Sequence, residues 1–442
     1  MLLTYIKEIS EHLDELVTEP KRFGKVTSVI GTIIEVSGLD ASVGELHTIH
    51  LDESEKIQAE VVGLKNNRSL LMPLDRVEGI KSGCLVERRP KSMSVNASEK
   101  LLGRVVDANG IPIDNKGPIT KYKDYPVHNN PPGPMQRKNI DQLLTTGVRA
   151  IDAFISIGKG QRMGIFAGSG VGKSTLMGMI ARKTTADVNV IGLIGERGRE
   201  VKEFIDEVLG KEGLANSVIV ATTSDKAAMS RVKAAYTATA IAEYFRDQGK
   251  DVLLMMDSVT RVAMAQREIG LASGEPPTTK GYTPSVFTML PKLLERAGRK
   301  KRGSITGLYT VLVDNDDMNE PIADAVRSIL DGHIVLSRKL AHKNHYPAID
   351  VLSSVSRIMN SIVGDEHIKL SREARELLAV YNEAEDLINI GAYSSGTNKQ
   401  LDRAINRIDA INNFLRQSTE ATPEDSHDDI YEKLASAIYG ES

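Results

Sequence analysis

A glycine-rich segment carries the residue types that bind a nucleotide polyphosphate. Measured against the phosphate-loop pattern G-x-x-x-x-G-K-[ST], Gly172, Lys173 and Ser174 fill the last three places, and Ala167 holds the first glycine place. Glycine lets backbone N–H groups turn toward phosphates, and a helix that begins near Gly172 adds its positive dipole end. The pattern predicts that Lys173 reaches the β- and γ-phosphates and that the Ser174 hydroxyl binds Mg²⁺, whereas the alternative is a strand–helix turn without a ligand. The predicted ATP-binding residues are Gly168, Ser169, Gly170, Val171, Gly172, Lys173, Ser174 and Thr175.

Two acidic residues each end an apolar run, and phosphoryl transfer could use both. Asp257 follows residues 252–256, where a carboxylate at the end of a buried strand holds Mg²⁺ through water; the alternative is a helix N-cap. Glu196 follows residues 190–195 and could polarise the attacking water as a general base. The alternative for Glu196 is a solvated charged turn, since Arg197 and Arg199 follow it.

Transition-state charge on the transferred phosphate requires a cation, and Arg357 is a candidate far along the chain. An arginine supplied by a neighbouring subunit has this role in many NTPases. Spacing alone does not select Arg357 among 56 lysines and arginines, so a surface arginine is the alternative.

The elements that must position these residues alternate between strands and helices in the second half of the chain. Strand-length apolar runs at 188–194, 217–221, 251–256 and 306–313 are separated by helical stretches, notably 227–248. This order predicts an α/β domain with a largely parallel sheet buried on both faces. Short β segments at 26–36, 57–64, 70–74 and 84–86 predict a small N-terminal barrel, and the pattern after 365 is helical.

We therefore predict four parts of the chain. They are an amphipathic helix at 1–20, with Leu2, Ile6, Ile9, Leu13 and Leu16 on one face; a β-barrel at 21–95; an ATPase domain at 96–364 with a linker at 112–138; and a helical domain at 365–442.

Composition limits the remaining function classes. A net charge of −3 and a pI near 6.4 argue against general affinity for nucleic acid or acidic membranes. Phe23 is the one aromatic residue of the predicted barrel, which lacks the stacking surface of a nucleic-acid binder. No apolar run approaches the roughly 18 residues that span a bilayer, and the single Cys84 fits a buried position in a reducing compartment. We expect a cytoplasmic protein that associates with a membrane through partners.

Taken together, these motifs and their order resemble the flagellar and type III secretion export ATPases, relatives of the rotary ATP synthase subunits. The resemblance covers residues from about 20 to 440 and implies a RecA-like P-loop NTPase core between the barrel and the helical domain. It rests on the segments Gly168–Ser174, Gly195–Glu200, Asp257–Arg261, Gly274–Pro277, Asp316–Pro321 and Tyr346–Asp350. Gly391–Tyr393 and the N-terminal helix favour the flagellar branch.

The resemblance also implies residue roles. Glu196 matches the catalytic carboxylate, Arg197 and Arg261 match arginines that line the site, and Arg357 matches the arginine finger that crosses the subunit interface. Tyr346 matches an aromatic residue that packs on adenine; its alternative is a core tyrosine.

Implied partners follow the same resemblance. Since Glu196 and Arg357 lie on one chain, identical copies could complete every site, which predicts a homohexamer with up to six competent sites. The 316–321 loop would face a central coiled-coil stalk, and the N-terminal helix would bind a dimeric stator-like regulator. The C-terminal helices would face the export gate with its substrates and chaperones, at the inner face of the cytoplasmic membrane.

Two alternative functions stay open at this point. A Rho-like RNA helicase shares the core but needs an RNA-binding barrel, which the missing aromatic residues disfavour. A non-catalytic nucleotide-binding subunit of a rotary ATPase would have no use for the water-activating Glu196.

Overall fold

The computed structural model describes residues 22–75, 77–89, 93–313, 317–419 and 427–440. The predicted helix at 1–20 and part of the acidic segment before Pro321 lie outside these residues. The chain forms two compact units: the described residues up to Met93 with Ile269–Glu275, and Ser94–Glu268 with Pro276 onward. The separate ATPase and helical domains predicted at 96–364 and 365–442 fall within the second unit, so their boundary stays a prediction.

The first unit contains a closed six-stranded barrel, as the sequence predicted. Side chains alternate between the interior and solvent, most clearly along Lys56–Lys65, and the interior includes Val26, Val36 and Cys84. The strands, which pair in the order β1-β2-β5-β4-β3-β6, are β1 (Phe23–Ile30), β2 (Ile33–Ser37), β3 (Leu46–His50), β4 (Lys56–Lys65), β5 (Arg68–Pro73) and β6 (Leu85–Arg88).

Two details of the barrel prediction were wrong. The segment 26–36 forms two antiparallel strands instead of one, because the chain turns at Gly31, whose φ of 58° suits glycine. Strand β3 was missed because its polar His47, Thr48 and His50 interrupt the apolar pattern, although His47 and Thr48 are buried.

The second unit is built on a sheet that, within the described ranges, has nine strands. Most neighbours are parallel, and strands such as Val188–Glu196 are buried along nearly their whole length, which confirms the predicted two-sided burial. The main path is β19-β18-β12-β17-β15-β13-β14-β8, and β16 pairs with β17. The strands of this unit, including two short pairs outside the sheet, are β7 (Ser94–Ala97), β8 (Arg104–Val106), β9 (Lys123–Pro126), β10 (Leu143–Leu144), β11 (Ile157–Gly158), β12 (Arg162–Ala167), β13 (Val188–Glu196), β14 (Ser217–Thr223), β15 (Asp251–Asp257), β16 (Gly298–Arg299), β17 (Ser304–Leu312), β18 (Gly332–Leu336) and β19 (Ile349–Ser356).

Helices cover this sheet and continue into a helical C-terminal part. The α-helices are α1 (Arg149–Phe154), α2 (Lys173–Lys183), α3 (Gly198–Glu203), α4 (Gly210–Ala215), α5 (Ala228–Asp247), α6 (Val259–Ala272), α7 (Pro284–Leu294), α8 (Pro321–Ile329), α9 (Arg338–His342), α10 (Met359–Ile362), α11 (Asp365–Asn389), α12 (Lys399–Leu415) and α13 (His427–Tyr439). A π-helical segment, Phe204–Leu209, joins α3 to α4, and single 3₁₀ turns occur at Glu99–Leu101, Pro134–Gln136 and Thr279–Gly281.

The C-terminal helices share one apolar core with the sheet domain. Phe414 of α12 meets Phe154 of α1 edge to face, with ring centroids 6.3 Å apart. His367 of α11 donates to the Ala153 carbonyl at 2.7 Å, and Arg375 donates to the Phe154 carbonyl at 2.8 Å. The end of α1 is therefore satisfied by side chains from α11, which docks the C-terminal helices on the sheet domain.

Candidate functional site

The phosphate loop lies between β12 and α2, as predicted. Gly170 and Gly172 have φ angles of 77° and 87°, a left-handed conformation that favours glycine. Gly172 caps the helix that begins at Lys173, so the N–H groups of the first turn face the loop. Ala167, which holds the first glycine place, ends β12 and is fully buried.

Asp257 is held in place by two donors at the end of β15. Lys173 Nζ bonds Asp257 Oδ1, and the Thr310 hydroxyl donates to the same oxygen at 2.7 Å. Thr310 is in position because Met256 of β15 pairs with Tyr309 of the parallel strand β17. Asp257 is 3% exposed, so these bonds stabilise a carboxylate that water cannot solvate.

Glu196 ends β13, the strand on the other side of β15. Its Oε1 lies 3.8 Å from Lys173 Nζ, and its side chain is 12% exposed. Burial, and next the charge of Asp257, raise the pKa of the Glu196 carboxyl, and Lys173 opposes them. Lys173, Glu196 and Asp257 form what we call the site cluster, in which two carboxylates face one ammonium group.

Of the two arginines predicted to line the site, Arg261 lies beside the site cluster and Arg197 does not. Arg261 lies beside Glu196: its positive charge acts on that carboxyl, and a Cβ on Gly195 would meet the Arg261 side chain at 3.1 Å. Arg197 is not brought to the cluster, because its side chain is 79% exposed and pairs with Glu200 at 3.1 Å. The solvated charged turn, considered as the alternative for this segment, describes Arg197 but not Glu196.

Tyr346 stands next to the start of the P-loop helix. A Cβ on Gly172 would lie 3.5 Å from its ring, and the side chain is 42% exposed. The alternative of a core tyrosine is therefore wrong. An exposed ring beside the phosphate loop provides a flat apolar surface on which a base can pack.

Arg357 follows the end of β19 that points away from the phosphate loop. Strand β19 runs antiparallel to β18, so that Ile349 pairs with Leu336 near the phosphate loop and Ser356 pairs with Gly332 at the far end. The eight residues of β19 separate these ends by roughly 25 Å. The exposed Arg357 therefore lies too far away to serve the loop of its own chain.

The residues around the loop fit a magnesium ion that enters with a nucleotide. In the part of the chain that the structure describes, no group of three or more His, Cys, Asp or Glu side chains could hold a metal. Nucleotide-bound Mg²⁺ needs only one or two protein ligands beside phosphate oxygens and water. Ser174, exposed in the first turn of α2, and Asp257 supply the hard oxygen donors that this ion prefers.

Sequence reasoning missed two residues that support the site. Thr310 lay within an apolar run, and its only signal was a hydroxyl in the middle of a buried strand. Gln417 follows α12, and its backbone N–H donates to the Tyr346 carbonyl at 2.9 Å. No motif marks Gln417, because its partners are distant in sequence.

Three family models match this chain. The ATP synthase alpha/beta family matches with its beta-barrel domain at residues 26–89 and its nucleotide-binding domain at 147–356. The T3SS EscN ATPase C-terminal domain matches at residues 363–435. Among the described residues, no helix has the length and apolar character needed to cross a membrane.

Individual relatives are similar over nearly the whole chain. The flagellum-specific ATP synthase of Bacillus subtilis is 55% identical over 408 residues, which cover 92% of this chain and 93% of the relative. The type 3 secretion system ATPase of Xanthomonas euvesicatoria is 52% identical and covers 90% and 91%. The assembled ATPase EscN from the enteropathogenic E. coli type III secretion system matches with a TM-score of 0.89 at 47% identity, over 94% of this chain and 100% of that one. EscN in complex with its central stalk EscO matches with a TM-score of 0.87 at 46% identity, over the same shares.

Proposed function

Because the chain belongs to the family of flagellum-specific ATP synthases and type 3 secretion system ATPases, we propose that it hydrolyses ATP at the site cluster to serve protein export. The observation that carries the proposal is the convergence of Lys173, Asp257 and Glu196 beside the phosphate loop. The two alternatives, an RNA helicase and a non-catalytic subunit, are not favoured by these relatives.

Each residue has a separate task in the proposed reaction. The N–H groups of the loop and Lys173 bind the phosphates, for which Lys173 must leave Asp257. Glu196 accepts a proton from the attacking water, and burial makes it a stronger base than an exposed glutamate. Bound Mg²⁺, held by Ser174 and through water by Asp257, would neutralise charge on the β- and γ-phosphates. Arg261 adds positive charge beside Glu196, whereas Arg197 would reach the nucleotide only by leaving Glu200.

We propose that Arg357 completes the site of a neighbouring copy in a homohexameric ring. Its place at the far edge of the sheet supports a role between chains, since a ring contact joins different faces of identical subunits. Arg357→Ala should lower kcat by about 10³-fold or more while ATP binding changes little. The measurement is single-turnover hydrolysis together with equilibrium ATP binding; loss of binding with normal turnover would contradict the assignment.

Activity per subunit should also depend on protein concentration. With Mg²⁺ and no nucleic acid, it should rise steeply as copies associate, because isolated chains lack the arginine in trans. Full activity from a protein confirmed to be monomeric would contradict the ring mechanism.

The cellular setting is likewise a proposal. We infer a flagellar export ATPase of the cytoplasm that associates peripherally with the inner face of the membrane, where the 316–321 loop meets a central stalk. The complex of EscN with its stalk EscO supports such a partner. The stator-like regulator at residues 1–20, and the gate, substrates and chaperones at the C-terminal helices, follow from the family resemblance. Co-purification with flagellar rather than virulence-type export components tests the branch.

A further inference from the structure

The segment 416–419, which follows α12, joins two loops that are far apart in sequence. The Gln417 N–H donates to the Tyr346 carbonyl at 2.9 Å. Its side-chain Oε1 accepts from the Arg149 N–H at 2.9 Å, and its Nε2 donates to the Gly147 carbonyl at 2.9 Å. One residue therefore satisfies backbone groups of both the 147–149 turn and the tyrosine loop.

These bonds bracket the P-loop helix α2 at its two ends. At the front, the Tyr346 ring faces Gly172, which caps the helix. At the rear, the turn at Gly147 packs so closely that a Cβ there would lie 2.3 Å from Lys183 Cβ. Arg182, also in the last turn of α2, donates to the Thr419 carbonyl at 2.9 Å. The segment 416–419 thus touches one end of the helix directly and the other through Tyr346.

The same segment is fixed to the C-terminal helices. Arg149 donates to the Arg416 carbonyl, and its guanidinium lies over the Phe414 ring, 5.6 Å from the centroid. Because α11 also binds the end of α1, a displacement of the C-terminal helices would carry α1 and Gln417 with it. Gln417 is the point at which that displacement would reach Tyr346.

We propose that Gln417 is a positioning residue through which the C-terminal helices set the affinity of the site for the base of the nucleotide. The inference rests on the proposed ATP site and on the packing of the base on Tyr346, the role that the family resemblance implies. The inference adds regulation to the role of Tyr346. A partner bound to the C-terminal helices would change the affinity for the base and leave the affinity for the phosphates unchanged.

The test compares ATP with inorganic tripolyphosphate, which occupies the phosphate loop but carries no base. Gln417→Ala should weaken ATP binding and raise KM by about fivefold. The inhibition constant of tripolyphosphate, and kcat at saturating ATP, should stay within about twofold of wild type. Gln400→Ala, the same substitution at the exposed opposite end of α12, is the matched control and should change neither.

Two results would overturn the inference. One is an unchanged ATP affinity of Gln417→Ala; the other is an equal weakening of ATP and tripolyphosphate, which indicates a general structural role for α2. If Gln417→Ala does not fold, Gln417→Glu keeps the acceptor for Arg149 and the backbone donor, and replaces the bond to Gly147 with a contact between two acceptor oxygens. It should then also show a selective loss of ATP binding, and no selective loss would overturn the inference.

Tyr346→Ala separates this inference from the proposed role of the tyrosine. Selective loss of ATP affinity in Tyr346→Ala but not in Gln417→Ala would leave the base-packing role intact and remove the positioning role. Normal ATP affinity in Tyr346→Ala would contradict base packing itself. A selective loss in Gln417→Ala alone would mean that Gln417 acts on the base without Tyr346, which also contradicts the inference.

Discussion

The site cluster and a second group of buried charges lie in the same unit, but their charged side chains are paired in different ways. In the second group, which we call the structural cluster, Arg296 forms two bonds to Glu243 at 3.0 and 2.6 Å and donates to the Val127 carbonyl at 2.8 Å. Asn129 donates to Glu243 at 2.8 Å, and Arg246 lies 4.0 Å from it. Glu243 is thus surrounded by donors, and both arginines have acceptors.

The site cluster has the opposite balance. One ammonium group, that of Lys173, serves both Asp257 and Glu196, and Glu196 is the more distant of the two. Burial and the charge of Asp257 raise the pKa of Glu196, and the positive charges of Lys173 and Arg261 oppose this rise without cancelling it. The comparison teaches that a buried cluster can be completed by the protein, as at Glu243, or left for a ligand to complete.

The largest expected effect is on turnover. Glu196→Gln keeps the shape of the side chain but removes the proton acceptor, so kcat should fall by about 10²- to 10⁴-fold with ATP binding retained. Rapid-quench hydrolysis and equilibrium binding measure the two quantities. Substantial residual turnover would mean that Glu196 is not the general base. The contrast between a catalytic site cluster and the structural cluster would then no longer hold.

The same substitution in the structural cluster should act on stability. Glu243→Gln leaves the buried Arg296 without its anion, and the free energy of unfolding should fall by about 3 kcal/mol. Urea unfolding measures the loss, and kcat per folded molecule should be unchanged. A stable variant with impaired turnover would show that Glu243 belongs to the functional machinery.

Thr310 tests whether the site cluster contains a structural support of its own. Thr310→Val removes the bond to Asp257 at nearly constant volume, and activity should fall by about tenfold with a higher Mg²⁺ requirement. Thr310→Ser keeps the hydroxyl and should retain most of the activity. Equal behaviour of the two variants would mean that the hydroxyl does not orient Asp257.

The smallest expected effect concerns stability and pH. Ionised Glu196 is disfavoured in the fold, so this group lowers stability as pH rises from its ordinary pKa through the raised one. Glu196→Gln cannot ionise; it should match wild type in acid and become the more stable protein toward neutral pH, by less than the loss at Glu243. A stability difference between the two proteins that stays constant from about pH 3.5, below the ordinary pKa of glutamate, to about pH 7.5 would contradict the raised pKa.

Sequence reasoning worked where the information is local in the chain. The loop from Gly168 to Ser174 and the acids that end β13 and β15 are recognisable because strand, turn and helix follow one another directly. The parallel sheet then brings the ends of these strands to one edge, so the convergence of Glu196 and Asp257 follows from topology.

Pairings over long sequence separations could not be predicted in this way. Glu243 and Arg296 are 53 residues apart, and Gln417 lies 268 residues from Arg149. Their partners depend on strand register and helix packing, which periodicity does not encode. For Arg197 a local motif was misleading. The motif resemblance assigned it to the site, but its side chain is exposed and pairs with Glu200 instead.

The separation of Glu196 from Arg357 across the sheet has a consequence for inheritance. If Arg357 acts on a neighbouring copy, as we propose, a copy that lacks Glu196 still offers its arginine, and a copy that lacks Arg357 still offers its glutamate. Two inactive alleles expressed together should therefore complement each other, with about a quarter of the interfaces of randomly mixed rings restored. Either allele expressed beside the wild type should instead remove one site for each defective chain, so about half of the interfaces should stay complete in rings mixed in equal parts.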